Sequence, residues 1–265
     1  MFKQHFNRAH TMREFPYFVP EEESEYNLDY AKHIVEEQII PGRWREDVER
    51  GGWKRHEAVA KRIAAHVSAE GTAPGGLILE ICAGPGGGFT PAVLMCDYSA
   101  RICMSDLCPT VLKEWHKHFA GMDNPPPNVE FAALDVCDLP FADNSLEVVC
   151  GSAAVINIEG DRDKALREIY RVLKPGGLFA FDYIFVTEED FTNMPSSARE
   201  TIKERYPTAF WDALGAFDAL GYARVEEVSS GMKWNNKDDD STLADLCRSL
   251  GTSLDFSGFI RYCIK

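Results

Sequence analysis

Three acidic residues stand at intervals that binding chemistry can use. Glu80 closes the apolar run Leu77-Ile78-Leu79, Asp106 closes a second run after Arg101, and Asp135 closes a third that begins at Val129. Just after the first lies Cys82-Ala83-Gly84-Pro85-Gly86-Gly87-Gly88, a loop with almost no side chains. Glycines there permit positive φ and let another molecule approach bare main chain. A carboxylate about twenty residues beyond such a loop is where doubly wound α/β folds hold the hydroxyls of a ribose.

Each acid needs an element to carry it. Three aliphatic residues in a row suit a central parallel strand covered on both faces. A helix is expected from Thr90, with Pro91 at its first position. The run Asp143-Asn144-Ser145-Leu146-Glu147-Val148-Val149 reads as a turn and a fourth strand. A helix with apolar spacing over 165–173 closes on Pro175-Gly176-Gly177 and feeds a fifth strand ending at Tyr183. All three acids then meet at the carboxyl edge of one sheet.

In this order and spacing the motifs resemble the class I S-adenosylmethionine (SAM)-dependent methyltransferases. The resemblance is to their small-molecule branch (methyltransferase type 11), which includes the ubiquinone/menaquinone-biosynthesis enzymes. It is close over 77–183 and weak beyond. It implies an α/β fold: a Rossmann-like seven-stranded sheet, mostly parallel with an antiparallel last strand, and an N-terminal helical cap. It further implies that Glu80, Ala83, Gly84 and Gly86 cradle the methionine part of SAM, with Ser152 also on the cofactor. Asp106 would hold the ribose hydroxyls, Leu107 would pack on adenine, and Asp135 with Val136 would read the adenine edge. The product would be S-adenosyl-L-homocysteine.

Two departures from the family pattern stand out. Cys82 occupies the place of the first glycine in the Gly-x-Gly-x-Gly loop, so the backbone there must accept a Cβ and a sulfur. After the fourth strand the chain reads Val155-Ile156-Asn157-Ile158, where many relatives carry a pair of histidines. An obvious general base is thereby lost. Asn157 and Tyr183, both expected at the carboxyl edge, are the candidates to orient an acceptor. His10 and His33 are the bases that a folded-over cap would deliver.

The segment 1–74 is expected to form that helical cap or lid, with amphipathic helices over 26–40 and 57–68. Its aromatics, among them Tyr17, Tyr30, Trp44 and Trp53, would line an acceptor pocket or else fasten the cap to the core. The SAM-binding core is expected over 75–265, with insertions at about 187–210 and 232–253. A helix over 211–220, a strand over 221–228, a helix near 243–250 and a terminal strand over 258–264 complete the reading.

Composition narrows the partners. The 265 residues suffice for one well-buried α/β domain with a modest cap. A formal charge of −14 disfavours a nucleic-acid substrate, because phosphates are captured by clustered Lys and Arg. No apolar stretch is long enough to span a bilayer, and 1–6 lacks a signal-peptide core, so a cytoplasmic protein is expected. The eight cysteines and seven histidines show no metal-ligand spacing, and buried reduced thiols suit a cytosolic setting. No metal is expected. The oligomeric state stays open, a homodimer included.

The reading that follows is methyl transfer from SAM to O, N, S or C of a small metabolite or natural product, by in-line displacement. Two alternatives stay open: a SAM-binding enzyme catalysing a rearrangement or decarboxylation, and a non-catalytic SAM-binding partner protein.

Overall fold

The structure is a computed structural model, and it describes residues 50–69, 77–97, 99–155, 158, 162–186, 194–206, 219–238 and 242–265. A 3₁₀ turn, Gly52–His56, leads into α1 (Glu57–Ala69). Then follow β1 (Leu77–Glu80), α2 (Thr90–Cys96), β2 (Arg101–Asp106), α3 (Pro109–Ala120), β3 (Val129–Ala133) and β4 (Leu146–Ser152). The remainder comprises α4 (Arg162–Val172), β5 (Leu173–Val186), α5 (Ser196–Arg205), β6 (Arg224–Asn235), α6 (Thr242–Ser249) and β7 (Asp255–Ile264).

The seven strands form one sheet in the order β3-β2-β1-β4-β5-β7-β6. Strands β1 to β5 pair in parallel, and β7 runs antiparallel to both its neighbours. Strand order therefore reverses between β1 and β4. That reversal opens a crevice beyond their carboxyl ends, where open α/β sheets take their ligands.

Period-2 alternation divides the sheet into two faces. Ile78, Met104, Val148, Cys150 and Ala180 point to one, under α1, α2 and α3. Leu79, Cys103, Val149, Phe179, Phe181 and Tyr183 point to the other, under α4. A smaller cluster joins Ile202 of α5 and Cys247 of α6 to Phe256 of β7. Leu79 and Ile102 are fully buried, and each such side chain contributes about 1.5–3 kcal/mol relative to exposure.

The described part of the segment expected as a cap behaves as core. Val59, Ala60 and Ile63 of α1 lie at helical spacing and are buried in the first face. Residues 1–49, which carry the rest of that expectation, lie outside the described residues. Further along, the expected Pro-Gly-Gly turn is absorbed into β5, whose pairing with β4 shifts register between Leu146 and Val148. Strand β6 continues seven residues past the expected 228, into the stretch read as an insertion, and carries its own register shift between Ser229 and Lys233.

Candidate functional site

The glycine loop leaves β1 at the switch point and is held from three directions. From within, Glu80 Oε2 accepts the N–H of Phe89 at 3.0 Å and the Thr90 hydroxyl at 3.4 Å, at the start of α2. Glu80 is fully buried, and burial pushes its carboxyl up to about 8. From α3, Trp115 Nε1 donates to Gly84 O at 3.0 Å. From β2, Asp106 Oδ2 accepts the Gly84 N–H at 2.8 Å while Oδ1 accepts the Cys108 N–H at 2.8 Å.

The glycines divide by what a side chain would meet. A Cβ on Gly87 would lie 2.5 Å from the Trp115 ring, and one on Gly88 would lie 2.0 Å from Glu80 Oε1. These two glycines let the loop pack against the protein. On Gly84 and Gly86, by contrast, the nearest atom among the described residues is 3.9 Å away, Cys82 O and Arg55 Nη2 respectively. Among those residues that side of the loop has room for a ligand that rests on main chain.

Cys82 adopts φ +49°, so the backbone does keep the left-handed turn that a glycine would take without cost. A side chain there costs about 1–2 kcal/mol. Its thiol is raised by burial, with Asp106 and Glu80 adding to the effect, which keeps it neutral.

The cofactor-side acids retain binding capacity. Each carboxylate oxygen offers two lone pairs, and Asp106, half-buried, uses one on each oxygen for backbone N–H groups. A ribose diol would find the others. Asp135, also half-buried, accepts the Cys137 N–H at 2.8 Å through Oδ1. Leu107 is partly buried against the first core cluster beside the crevice, and Val136 is packed into the second. Ala83 donates its N–H to Ser105 O at 2.9 Å. These residues fit SAM: an open glycine ledge, a diol acceptor on β2 and a further acid after β3.

A second group gathers at the same edge. Ser152, the last residue of β4, donates to Asp182 Oδ2 at 3.2 Å and lies 3.3 Å from His56 Nε2. Asp182 Oδ1 accepts the Ala153 N–H at 2.6 Å, and Oδ2 lies 3.6 Å from His56 Nε2. His56 is buried, with its ring edge-on to Phe89 at 4.9 Å. Burial raises the Asp182 carboxyl, and Arg55 opposes that shift. His56 and Asp182 carry no motif in the sequence and were not expected here. Their link runs through a fold that brings residues 126 apart in number to one edge.

Residues 81–181 match the family model described as "Methyltransferase domain". Over that stretch, under half of the chain, the sequence is similar to a methyltransferase domain. Over 119 residues it is 34% identical to the ubiquinone/menaquinone biosynthesis C-methyltransferase UbiE of Desulfotalea psychrophila, covering 44% of this chain and 45% of that one. It is 36% identical over 100 residues to a demethylmenaquinone methyltransferase of Clavibacter sepedonicus, covering 38% of each. The matched stretch thus spans under half the length of these relatives. In fold, the chain resembles a putative methyltransferase from Bacillus halodurans C-125, with a TM-score of 0.54 and 16% identity over 76% of this chain and 97% of that one. The [4+2]-cyclase SpnF gives the same TM-score at 18% identity, covering 79% and 80%.

The other expected residues fall unevenly around this stretch. Ser152 reaches the edge, but its hydroxyl is engaged with Asp182. Tyr183 does not face the crevice: it is 2% exposed, its hydroxyl donates to Glu227 on β6, and Arg261 of β7 lies over its ring at 5.1 Å. The role of orienting an acceptor is therefore withdrawn from Tyr183. Adjacent strand residues point to opposite faces, so it is Asp182 that points to the crevice side. Trp53 is partly buried against the first core cluster, in the role of fastening. Asn157, His10, His33, Tyr17, Tyr30 and Trp44 lie outside the described residues.

Proposed function

We propose that the protein transfers a methyl group from SAM to a small-molecule acceptor, releasing S-adenosylhomocysteine. The observation that carries this is the open main-chain ledge at Gly84 and Gly86, flanked by Asp106 with lone pairs to spare. When bound, SAM supplies an electrophilic methyl group on a sulfonium. Asp106 would hold the ribose, Leu107 and Asp135 the adenine side, and Gly84 to Gly86 the methionine side. The role of Glu80 is inward: it fixes the loop through Phe89 and Thr90 and leaves the ligand to the backbone.

The rate would come largely from placement. Holding two reactants in line accounts for roughly 7–11 kcal/mol in well-oriented reactions. The acidic surface, −14 in formal charge, favours a small acceptor over a nucleic acid. A rearrangement on the same scaffold is the weaker reading, since likeness to SpnF at 18% identity concerns fold alone.

Calorimetric titration with S-adenosylhomocysteine tests the proposal. Wild type is expected to bind, and Asp106→Ala to bind about 10- to 150-fold more weakly, the loss of a charge-assisted acceptor worth about 1.5–3 kcal/mol. A wild-type protein that shows no heat at millimolar ligand removes the cofactor assignment. An unchanged affinity in folded Asp106→Ala removes the ribose assignment.

A further inference from the structure

The crevice edge also carries a Ser-His-Asp group. Ser152 Oγ lies 3.3 Å from His56 Nε2, and Asp182 Oδ2 lies 3.2 Å from Ser152 Oγ and 3.6 Å from His56 Nε2. Arg55 Nε donates to the same His56 Nε2 at 3.3 Å. An arginine N–H can only donate, so in this contact Nε2 acts as the acceptor nitrogen of the ring, and it faces the serine hydroxyl and Asp182 as well. His56 is 7% exposed, whereas Ser152 is half-exposed and ends β4 at the crevice. The hydroxyl is thus the member a ligand can reach, and the imidazole stands behind it.

We propose that Ser152 and His56 form a proton-accepting pair, with Asp182 as positioning residue, and that the methyl acceptor is a proton-releasing nucleophile. Such acceptors are O–H groups and C–H groups flanked by carbonyls; neutral amines need no base. The inference rests on the methyl-transfer reading above. In the step, the Ser152 hydroxyl turns its proton from Asp182 Oδ2 to His56 Nε2, and the acceptor's O–H or C–H proton passes to Ser152 Oγ as the serine's own proton passes to Nε2. The freed electron pair forms the bond to the methyl carbon, and the C–S bond breaks with its pair going to sulfur. No oxidant or reductant enters. The imidazolium so formed faces the carboxylate of Asp182, an opposite charge that favours it.

The charged groups placed around the imidazole include Arg55 of the 3₁₀ turn, Asp182 of β5 and, behind Phe89, the buried Glu80 of β1. Arg55 opposes the imidazolium and must give way as Nε2 takes the proton. Asp182 supports it. The two effects are separable by substitution.

The test uses the full chain labelled with ¹⁵N-histidine and saturated with S-adenosylhomocysteine. The His56 signals, assigned by their loss in His56→Gln, are followed as the pH is varied, and the ring is expected to take up a proton at Nε2. In Asp182→Asn, which keeps an oxygen for the Ala153 N–H, the same titration is expected at lower pH. Ser152→Ala supplies the second variant, and loss of the hydroxyl is expected to shift the Nε2 signal. A ring that does not titrate, or that is unmoved by both substitutions, overturns the proposal. In parallel, methyl-labelled SAM is offered with phenol, acetylacetone and benzylamine. Label in phenol or acetylacetone that falls by about 10²-fold or more in His56→Gln supports it. Label in benzylamine that is equal in wild type and His56→Gln overturns it. Where no probe is methylated, the ring titration decides. Failure of the wild type to bind S-adenosylhomocysteine is a separate result, which removes the cofactor reading itself.

Discussion

Trp115 is joined to the glycine loop at two points: its indole N–H donates to Gly84 O at 3.0 Å, and its ring occupies the place where a Cβ on Gly87 would stand, 2.5 Å away. The side chain of α3 therefore sets the curvature of a loop that α3 does not touch in sequence. Gly86, one residue earlier, has only the end of Arg55 near it among the described residues, with Nη2 3.9 Å from where a Cβ would stand.

That contrast predicts opposite consequences for neighbouring substitutions. Gly87→Ala adds a methyl into the indole at φ +73°, so overpacking of about 1–3 kcal/mol joins a left-handed penalty of about 1–2 kcal/mol. Its urea midpoint should fall. Gly86→Ala should unfold near the wild-type midpoint yet bind S-adenosylhomocysteine more weakly, because its methyl enters the ledge. A stable Gly87→Ala beside an unfolded Gly86→Ala would reverse the assignment of the two sides.

Glu80 predicts a pH dependence of stability. Its carboxyl stands at about 8 in the fold, against an ordinary value of 4.5, because it is fully buried and Oε1 has no hydrogen-bond partner among the described residues. The folded value is raised, so the native state holds a proton that the unfolded chain releases. Its contribution is fully present below about 4.5 and is lost as pH rises through about 8. Glu80→Gln imitates the protonated form and should flatten the fall in Tm over that window. An identical slope in variant and wild type would place the ionisation elsewhere.

The residues that were legible in the sequence are those whose role follows from local pattern. Glu80 and Asp106 end apolar runs, and a strand that must be buried on both faces can place an acid only at its end. The order of β1 to β5 and the helix starting at Thr90 follow from the same punctuation. Tyr183 shows where that reasoning loses resolution: β5 runs on to Val186, and which residue near its exit lies on the crevice side turns on a one-residue parity that local pattern does not fix. Asp182 was passed over for that reason. His56 was illegible for another, since nothing in Trp53-Lys54-Arg55-His56-Glu57 marks a partner, and its partners on β4 and β5 exist only once the sheet has assembled.

Thiol chemistry is expected to bypass the site. Burial raises the thiols of Cys82, Cys103 and Cys150, and for Cys82 the neighbouring carboxylates Asp106 and Glu80 act in the same direction. Since the thiolate is the nucleophile, iodoacetamide at pH 8 should alkylate the exposed Cys96 well before Cys82. Peptide mapping by mass spectrometry gives the order. Prior labelling of Cys82 would mean that the loop opens or that its thiol is activated, and would make this thiol a candidate acceptor ligand.

Arg171 carries the last prediction. Its guanidinium donates through Nη1 to Phe141 O and Asp143 Oδ1, each at 2.8 Å, and through Nη2 to Leu139 O at 2.8 Å and Glu168 Oε2 at 2.7 Å. One planar fork thus ties the segment after Asp135 to α4, and the Leu139 N–H adds a bond of 2.9 Å to Glu168 Oε2. Glu168 and Asp143 raise the guanidinium further above its usual range, which keeps the arginine end of the clamp charged. Lysine cannot reach two carbonyls and two carboxylates in one plane. Arg171→Lys should therefore lose about 2–3 kcal/mol in urea unfolding, on the scale of one or two charge-assisted bonds. Amide exchange should quicken across 135–145 before it does in β1 or β4, because the loosened segment is held at its far end by Arg171. Binding of S-adenosylhomocysteine should weaken only as far as Asp135 is displaced, by less than the loss in Asp106→Ala. A wild-type midpoint with unchanged exchange across 135–145 would show that the strand-end contacts hold this segment without the arginine, and that Arg171 is a surface ion pair of the kind that contributes little.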